Sequence, residues 1–228
     1  MSFNKGFSKI VITGGNGFIG TRLLKNKALK DSLAIGRNKP QNHSNFIKVN
    51  LTEDDKLSEI LFEKDVVIHL AAKTPTINNK SSDSILSYRK VNTEETLNLA
   101  KKAAVSGVKR FIFISTVKVL GEKTISGLSF KNNDTLRPQD PYSVSKAEAE
   151  EGLKKIGKIH GMEIVIIRPP LVFGNGAKGN LRSLINLINL PIPLPLKSIK
   201  NKRSFVGIDN LVDLIINCID HPKAGNET

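Results

Sequence analysis

The fold is decided by residues 10–20, which read Ile10-Val11-Ile12-Thr13-Gly14-Gly15-Asn16-Gly17-Phe18-Ile19-Gly20. The first four residues have the length and the β-branched content of a buried strand, and a helix follows the glycine-rich turn. Gly14 and Gly17 allow the backbone to turn and to approach a pyrophosphate, whereas Gly20 allows the helix to pack closely on the sheet. The stretch therefore predicts a dinucleotide-binding turn whose amide groups and helix amino end hold the anion.

Beyond this turn, strand-length apolar runs alternate with amphipathic stretches, as strands and crossover helices of a parallel sheet do. We predict strands at residues 10–13, 32–35, 46–49, 66–70, 110–115 and 163–167. Helices are predicted at residues 18–29, 54–62, 84–106, 141–160 and 210–220. Because the central strands are apolar on both faces, helices must cover both sides of the sheet. The predicted fold class is α/β, a three-layer doubly wound parallel sheet with a Rossmann-like NAD(P)-binding fold.

Composition narrows the class of protein without identifying it. The chain has 228 residues, of which 39% are hydrophobic and 25% charged, so a disordered or collagen-like chain is excluded. Its single cysteine, Cys218, excludes an internal disulfide and a thiolate metal cluster, and this suits a reducing cytoplasm. The first residues show no long apolar core and no small-residue cleavage site, so we expect no signal peptide, and no apolar run approaches the roughly 18 residues of a membrane-spanning helix. We expect a cytoplasmic protein without membrane insertion.

The net charge of +14 raises the question of a nucleic-acid partner. The basic residues are scattered along the chain, and ten Phe and two Tyr offer few rings on which bases could stack. We therefore expect no nucleic-acid partner. The one local basic cluster, within residues 197–203, lies beside a proline-rich loop. No cluster of His, Cys, Asp and Glu has metal-ligand spacing, so no metal site is expected.

A change of composition after Arg168 predicts the domain organisation. Prolines and glycines become frequent there, and residues 190–196 form an apolar stretch interrupted by proline. We predict a dinucleotide-binding domain at residues 1–168. Residues 169–228 would form a partial substrate-binding segment and a helix that returns to the first domain.

The end of the second predicted strand bears on the choice of cofactor. An NAD-specific site usually presents an acidic residue there to the ribose 2′-hydroxyl, and this chain has Gly36-Arg37-Asn38 instead. Arg37 could pair with a 2′-phosphate, which favours NADP(H). If Arg37 is only a solvated residue at a strand end, the site takes either NADP(H) or NAD(H).

A second motif, Asp140-Pro141-Tyr142-Ser143-Val144-Ser145-Lys146, reads as the start of a helix with a capping Asp140 and Pro141 in the first helical position. Tyr142 and Lys146 then lie one turn apart on the same face. A nearby ammonium lowers the pKa of a phenol, so Tyr142 is a candidate general acid or base. The hydroxyl of Thr116, which follows the fifth strand, faces the same crevice.

Together these motifs resemble the extended short-chain dehydrogenase/reductases of the NAD-dependent epimerase/dehydratase family, which act on nucleotide sugars. The resemblance spans nearly the whole chain and includes residues 65–72, 91–92, 168–174 and 203–210. It implies a catalytic triad of Thr116, Tyr142 and Lys146. It implies a cofactor site formed by Gly14, Gly17, Phe18, Ile19, Arg37, Asn50, Leu51, Leu70, Ala71, Ala72, Asn92, Tyr142, Lys146 and Pro169. It implies substrate contacts from Lys118, Asn180 and Arg203.

Within this family, the strings at residues 118–122, 168–180 and 194–207 are most similar to 4-reductases of UDP-4-keto-6-deoxy-N-acetylhexosamines, which serve surface polysaccharide synthesis. A UDP-sugar 4-epimerase and a non-catalytic dinucleotide-binding protein remain alternatives. Val117 and Lys118 stand where related 4,6-dehydratases have an Asp-Glu pair, so dehydration is not expected. The resemblance also implies a homodimer through helices 84–106 and 141–160. The chain stops where such enzymes continue, so we expect the substrate region to be incomplete.

Overall fold

The computed structural model describes residues 9–41, 43–52, 56–75, 84–125, 127–177, 187–189 and 202–228. In this part of the chain, a six-stranded parallel sheet has the strand order β3-β2-β1-β4-β5-β6. Its strands are β1 (Ile10–Thr13), β2 (Leu33–Gly36), β3 (Phe46–Lys48), β4 (Val66–His69), β5 (Arg110–Ile114) and β6 (Glu163–Ile167). The strand order reverses direction between β1 and β4, which makes the crevice at their carboxyl ends the expected ligand site. The predicted doubly wound α/β fold is confirmed.

Helices cover both faces of the sheet and bury two separate cores. They are α1 (Phe18–Leu23), α2 (Leu57–Leu61), α3 (Ile85–Tyr88), α4 (Glu95–Val105), α5 (Pro141–His160) and α6 (Ile208–Asn217). On one face, α2, α4 and α5 pack around Phe111 and Phe113. On the other face, α1 and α6 pack around Ile12 and Ile112. Successive residues of β5 thus point to opposite cores, as the apolar sequence on both faces of the strand requires.

Local side-chain bonds explain where the helices differ from the prediction. The segment predicted as one helix at residues 18–29 divides into α1 and a 3₁₀ helix, Lys27–Leu29, because the Asn26 side chain caps a new turn at Ala28. Helix α6 begins at Ile208, two residues earlier than predicted. Residues 54 and 55 of the predicted helix 54–62 lie outside the described residues. The predicted helix 141–160 is confirmed with its Asp140 capping box.

A second parallel sheet, β7 (Leu171–Phe173) paired with β8 (Phe205–Gly207), was missed by the sequence analysis. Each strand has only three residues, too few to show a periodicity. Val172 and Val206 pack against the same core as α6. Among the described residues, no helix is long and apolar enough to cross a membrane.

Candidate active site

The glycine-rich turn brings the ends of β1 and β4 into contact. Gly14 has φ +70°, and a Cβ atom there would lie 2.5 Å from the backbone nitrogen of Ala71. Only glycine permits this approach without strain or a steric clash. Gly17 precedes α1 without a side-chain cap, so the first-turn amides of α1 are left for an anion. Phe18 and Ile19, which are half-buried, pack against the core beneath the turn.

A buried histidine fixes the segment after β4. The ring nitrogens of His69 lie 2.8 Å from the Thr13 hydroxyl and 2.9 Å from the Thr96 hydroxyl. The Ala71 amide donates to the Thr13 oxygen at 3.2 Å, so this network holds the strand end that faces Gly14. Burial, and secondarily the charge of Lys146, lowers the pKa of His69 to about 3. His69 is therefore a buried structural residue, with a partner for each ring nitrogen. Leu70, Ala71 and Ala72 are half-buried at this edge.

The predicted adenosine side of the site is only partly open. Arg37 is exposed at the end of β2, where a 2′-phosphate could reach it. The Asn50 Oδ1 atom, the predicted acceptor for the adenine, already accepts from the amide and hydroxyl of Thr52 at 3.2 and 2.9 Å. Leu51 belongs to the core with 6% exposure, so its side chain is not free to contact a cofactor. The adenine contacts of Asn50 and Leu51 therefore stay predictions.

The three predicted catalytic residues lie at the carboxyl ends of the strands. Thr116 follows β5, and its hydroxyl accepts from the Lys118 amide at 3.4 Å. Tyr142 is the second residue of α5 and is half-buried. Lys146, one turn later, is 2% exposed, and its Nζ atom donates to the Ile114 carbonyl at 2.9 Å. The same atom lies 4.4 Å from the centroid of the Phe113 ring.

Burial shifts the pKa values of Tyr142 and Lys146, and the result differs from what the sequence predicts. It raises the pKa of Tyr142 to about 12, and the charges of Asp140 and Tyr88 add to the effect. It also lowers the pKa of Lys146 to about 7, although the charge of Glu150 partly opposes this. We had expected Lys146 to lower the pKa of Tyr142. That expectation is wrong for this structure, because removal from water disfavours both charged forms and the Lys146 ammonium bonds to a carbonyl.

Two predicted ligand contacts have protein partners instead. Lys118 forms an ion pair with Asp140, its Nζ atom lying 2.5 Å from Oδ2, and so reinforces the cap of α5. Burial alone would raise the pKa of the Asp140 carboxyl. The bonds from Lys118 and from the Ser143 amide outweigh this effect, so the pKa is lowered. The Asn92 amide is fully buried and bonds to the backbone of Lys73 at 2.8 and 3.0 Å and to the Ser145 hydroxyl at 3.0 Å.

Asn92 lies in a π-helical segment, Arg89–Glu94, between α3 and α4. Such segments are rare and occur often at functional sites. Here the segment places the Asn92 amide between the backbone that follows β4 and the turn of α5 that carries Tyr142 and Lys146. Its role in this structure is to join these two parts of the site.

Sequence reasoning missed two residues beside Tyr142. The Tyr88 ring lies edge-on to the Tyr142 ring, with centroids 6.1 Å apart, and is 2% exposed. The Lys73 ammonium lies 5.1 Å from the Tyr88 centroid and donates to the Ser87 hydroxyl at 2.8 Å. The one available signal was the position of Lys73 directly after Ala72, at the ligand edge of the sheet.

Three predicted site residues remain: Pro169, Arg203 and Asn180. The Pro169 carbonyl accepts from the Val117 amide at 3.1 Å, which places Pro169 next to the segment that carries Thr116. Arg203 is exposed just before β8, and its substrate contact stays a prediction. Asn180 lies outside the described residues. Within the described ranges, no group of three or more His, Cys, Asp or Glu residues could hold a metal ion.

A parallel sheet of this order, with a glycine turn at its switch point and a tyrosine and a lysine one helical turn apart, defines a dinucleotide-dependent enzyme of the short-chain dehydrogenase type. The model of the NAD dependent epimerase/dehydratase family matches residues 10–228. The chain belongs to this family.

Two similar proteins are both named 4-epimerases. The chain is 46% identical over 226 residues to the UDP-glucose 4-epimerase of Vibrio cholerae, covering 96% of this chain and 68% of that protein. It is 30% identical to the N-acetyl-alpha-D-glucosaminyl-diphospho-ditrans,octacis-undecaprenol 4-epimerase of Escherichia coli O157:H7, covering 96% of this chain and 65% of that protein. The chain thus spans about two thirds of the length of these relatives.

Solved structures agree with the family assignment. The UDP-N-acetylglucosamine 4-epimerase from Methanobrevibacter ruminantium M1 matches with a TM-score of 0.74 and 27% identity, over 91% of this chain and 71% of that one. A UDP-glucuronic acid 4-epimerase from Bacillus cereus, in complex with UDP-4-deoxy-4-fluoro-glucuronic acid and NAD, matches with a TM-score of 0.78 and 26% identity. That match covers 96% of this chain and 75% of the other.

Proposed function

We propose that this chain is the cofactor-binding and catalytic part of an NAD-dependent 4-epimerase of UDP-linked hexoses, with UDP-glucose and UDP-N-acetylglucosamine as the first candidate substrates. The observation that carries the proposal is that Lys146, one helical turn after Tyr142, donates to the carbonyl at the end of β5, the strand that Thr116 follows. The relatives described above, which are named 4-epimerases, support the same activity. They support the epimerase reading better than the 4-reductase that the sequence motifs favoured.

The residues at the switch point fit a dinucleotide. The close approach of Gly14 to Ala71 leaves no room for a side chain where a pyrophosphate would pass, and the uncapped start of α1 offers amide donors to it. When bound, the cofactor would accept a hydride from C4 of the sugar and return it. The family is NAD-dependent, which favours NAD(H) over the NADP(H) suggested by Arg37.

The chemistry of this chain's own residues follows from their positions. In the first half-reaction Tyr142 takes the proton of the sugar 4-hydroxyl, while the Thr116 hydroxyl holds the same oxygen. The phenolate needs a neighbouring positive charge because burial favours the neutral phenol, and Lys146 is the cation one turn away. In the second half-reaction Tyr142 returns the proton to the oxygen, after the 4-keto sugar has turned its other face.

Dehydration would need a feature that this site lacks, whereas 4-reduction would not. Elimination of water requires a carboxylic acid and a base after Thr116, but Val117 and Lys118 occupy those positions and Lys118 is paired with Asp140. A 4-reductase would use the same three side chains, so it differs in the fate of the cofactor rather than in the geometry. Reduction consumes one reduced cofactor for each sugar, whereas epimerisation consumes none.

The other expectations stay proposals of the same account. We retain a homodimer through helices α3, α4 and α5, where Leu86, Val105 and Ile159 are at least 71% exposed. We also retain the division at residue 168, the substrate contact of Arg203 and the cytoplasmic location. Sedimentation or light scattering at micromolar concentration tests the dimer, and a monomer would contradict it.

The proposed function is tested with Tyr142→Phe. The chain, NAD⁺ and either UDP-glucose or UDP-N-acetylglucosamine are incubated, and the 4-epimer is followed by proton NMR. The variant should lose about 100-fold or more of the turnover, because the phenol oxygen that carries the proton is absent. NAD⁺ binding, measured by calorimetry on the same preparation, should change little. Turnover by the variant at the level of the unsubstituted chain would overturn the assignment.

A further inference from the structure

A buried carboxylate lies one helical turn beyond the proposed catalytic pair. Glu150, on α5, has a side chain that is 1% exposed, and it forms an ion pair with Arg168, whose side chain is 8% exposed. The pair is bidentate, with Arg168 Nε 3.0 Å from Oε1 and Nη2 2.6 Å from Oε2. Arg168 directly follows β6, so the pair attaches the catalytic helix to the carboxyl edge of the sheet.

A third residue connects this pair to Lys146. The Ser115 hydroxyl donates to Glu150 Oε1 at 2.5 Å, and the Ser115 amide donates to the Ile167 carbonyl at 2.8 Å. The residue before Ser115 is Ile114, whose carbonyl accepts from Lys146. Glu150 therefore holds the same strand end to which Lys146 is bonded.

Stability alone does not account for this arrangement. Removing two charges from water costs free energy that an ion pair often fails to recover, and apolar residues of similar volume are frequently as stable. At their amino ends, β5 and β6 carry another ion pair, between Arg110 and Glu163, which serves as a reference. There the carboxylate is 42% exposed and lies away from Lys146.

We propose that Glu150 is a positioning residue of the reaction: held by Arg168 and Ser115, its carboxylate fixes Lys146 at the strand end and supplies the buried negative charge that keeps Lys146 an ammonium. Lys146 and Glu150 lie four residues apart on α5, which places them on one face of the helix. The inference rests on the proposed function, because that function gives Lys146 its task.

Among the described residues, the groups around Lys146 leave Glu150 as its counter-charge. From β4, His69 faces it as a neutral ring, since its pKa is lowered to about 3 by burial. From β5 it meets the Phe113 ring and a carbonyl, and from its own helix the Tyr142 phenol, which is neutral near pH 7. Arg168, beyond Glu150, is positive. Without Glu150, burial and Arg168 would act together to lower the pKa of Lys146 further.

The experiment follows the charge of Lys146 by NMR. Protein with lysines labelled with ¹³C at Cε is titrated, and the Lys146 signal is assigned by its loss in Lys146→Met. The unsubstituted chain should titrate near pH 7. Glu150→Gln should lower the midpoint by about 1 pH unit or more, which is a tenfold fall in the ratio of ammonium to neutral amine at a given pH. Glu150→Asp, which keeps the charge, should stay close to the unsubstituted value.

Glu163→Gln is the matched control, because it removes a carboxylate from an Arg–Glu pair at the amino ends of β5 and β6, away from Lys146. Its Lys146 midpoint should not move. If Glu150→Gln does not fold, the double variant Glu150→Met and Arg168→Met replaces the pair by apolar side chains. It should also lower the midpoint, but by less than Glu150→Gln, because the positive charge of Arg168 is removed together with the carboxylate. An unchanged midpoint in the folded variant would overturn the proposal. The titration requires no turnover, so its result stands even if the chain proves not to be an epimerase.

Discussion

Lys146 is buried at a cost in stability, and replacing it should reveal that cost. Its pKa falls from 10.5 to about 7 on folding, which corresponds to an upper bound of about 5 kcal/mol. Between these two values the unfolded chain binds a proton that the folded chain does not, so stability rises with pH across this window. Lys146→Met removes the dependence. The variant should therefore be more stable than the unsubstituted chain at pH 7, and its advantage should shrink as the pH rises.

The assay is urea unfolding of both proteins at pH 7, 8 and 9. One proton changes the free energy of unfolding by about 1.4 kcal/mol per pH unit, so the advantage should shrink by about 2 to 3 kcal/mol over this range. Lys101→Met is the control, because Lys101 is exposed on α4 and an exposed lysine has no burial cost to recover. An advantage of Lys146→Met that stays constant from pH 7 to 9 would refute the reasoning.

Three further predictions concern the cofactor side of the site. Gly14→Ala should destabilise the fold by about 3 kcal/mol or more in urea unfolding, since its Cβ would lie 2.5 Å from the Ala71 nitrogen. Gly107→Ala is the control: with φ +83° and nothing within 4 Å, it should cost only about 1 to 2 kcal/mol. Equal losses of stability in the two variants would contradict the steric clash at Gly14. Stability should fall as the pH drops from 6.5 towards 3, because His69 stays neutral in the folded state but takes up a proton in the unfolded chain. In His69→Asn, the slope of the free energy of unfolding against pH should be smaller by the equivalent of up to one bound proton. Arg37→Ala should weaken NADPH binding about tenfold more than NADH binding by calorimetry, whereas equal losses would show that Arg37 does not read the 2′-phosphate.

The fold was predictable because local signals and the global pattern agree. Helix α5 matches its predicted bounds, since Asp140 and Pro141 define its start by short-range bonds. The ends of the central strands moved by no more than one residue. The β7–β8 sheet was missed because its two strands are short and pair across more than thirty residues of sequence.

The candidate site was predictable in position but not in the pairing of its side chains. A motif can place Asn92 and Lys118 near the cofactor and substrate, but it does not show that Lys73, Ser145 and Asp140 bind them instead. The protonation expected for Tyr142 was wrong for a related reason. The sequence shows a lysine four residues away, whereas the extent of burial emerges only from the packed structure.

The most direct test of the proposed 4-epimerase measures the sugar and the cofactor together. The chain is mixed with a substoichiometric amount of NAD⁺ and with UDP-glucose or UDP-N-acetylglucosamine, and NMR follows the sugar while absorbance follows reduced cofactor. The account predicts many turnovers to a mixture of the two 4-epimers, with no net change in the cofactor. It is contradicted if neither sugar is epimerised, while a parallel mixture of the chain with reduced cofactor and a UDP-4-keto-6-deoxy-N-acetylhexosamine consumes one reduced cofactor for each sugar converted to its 4-hydroxy form.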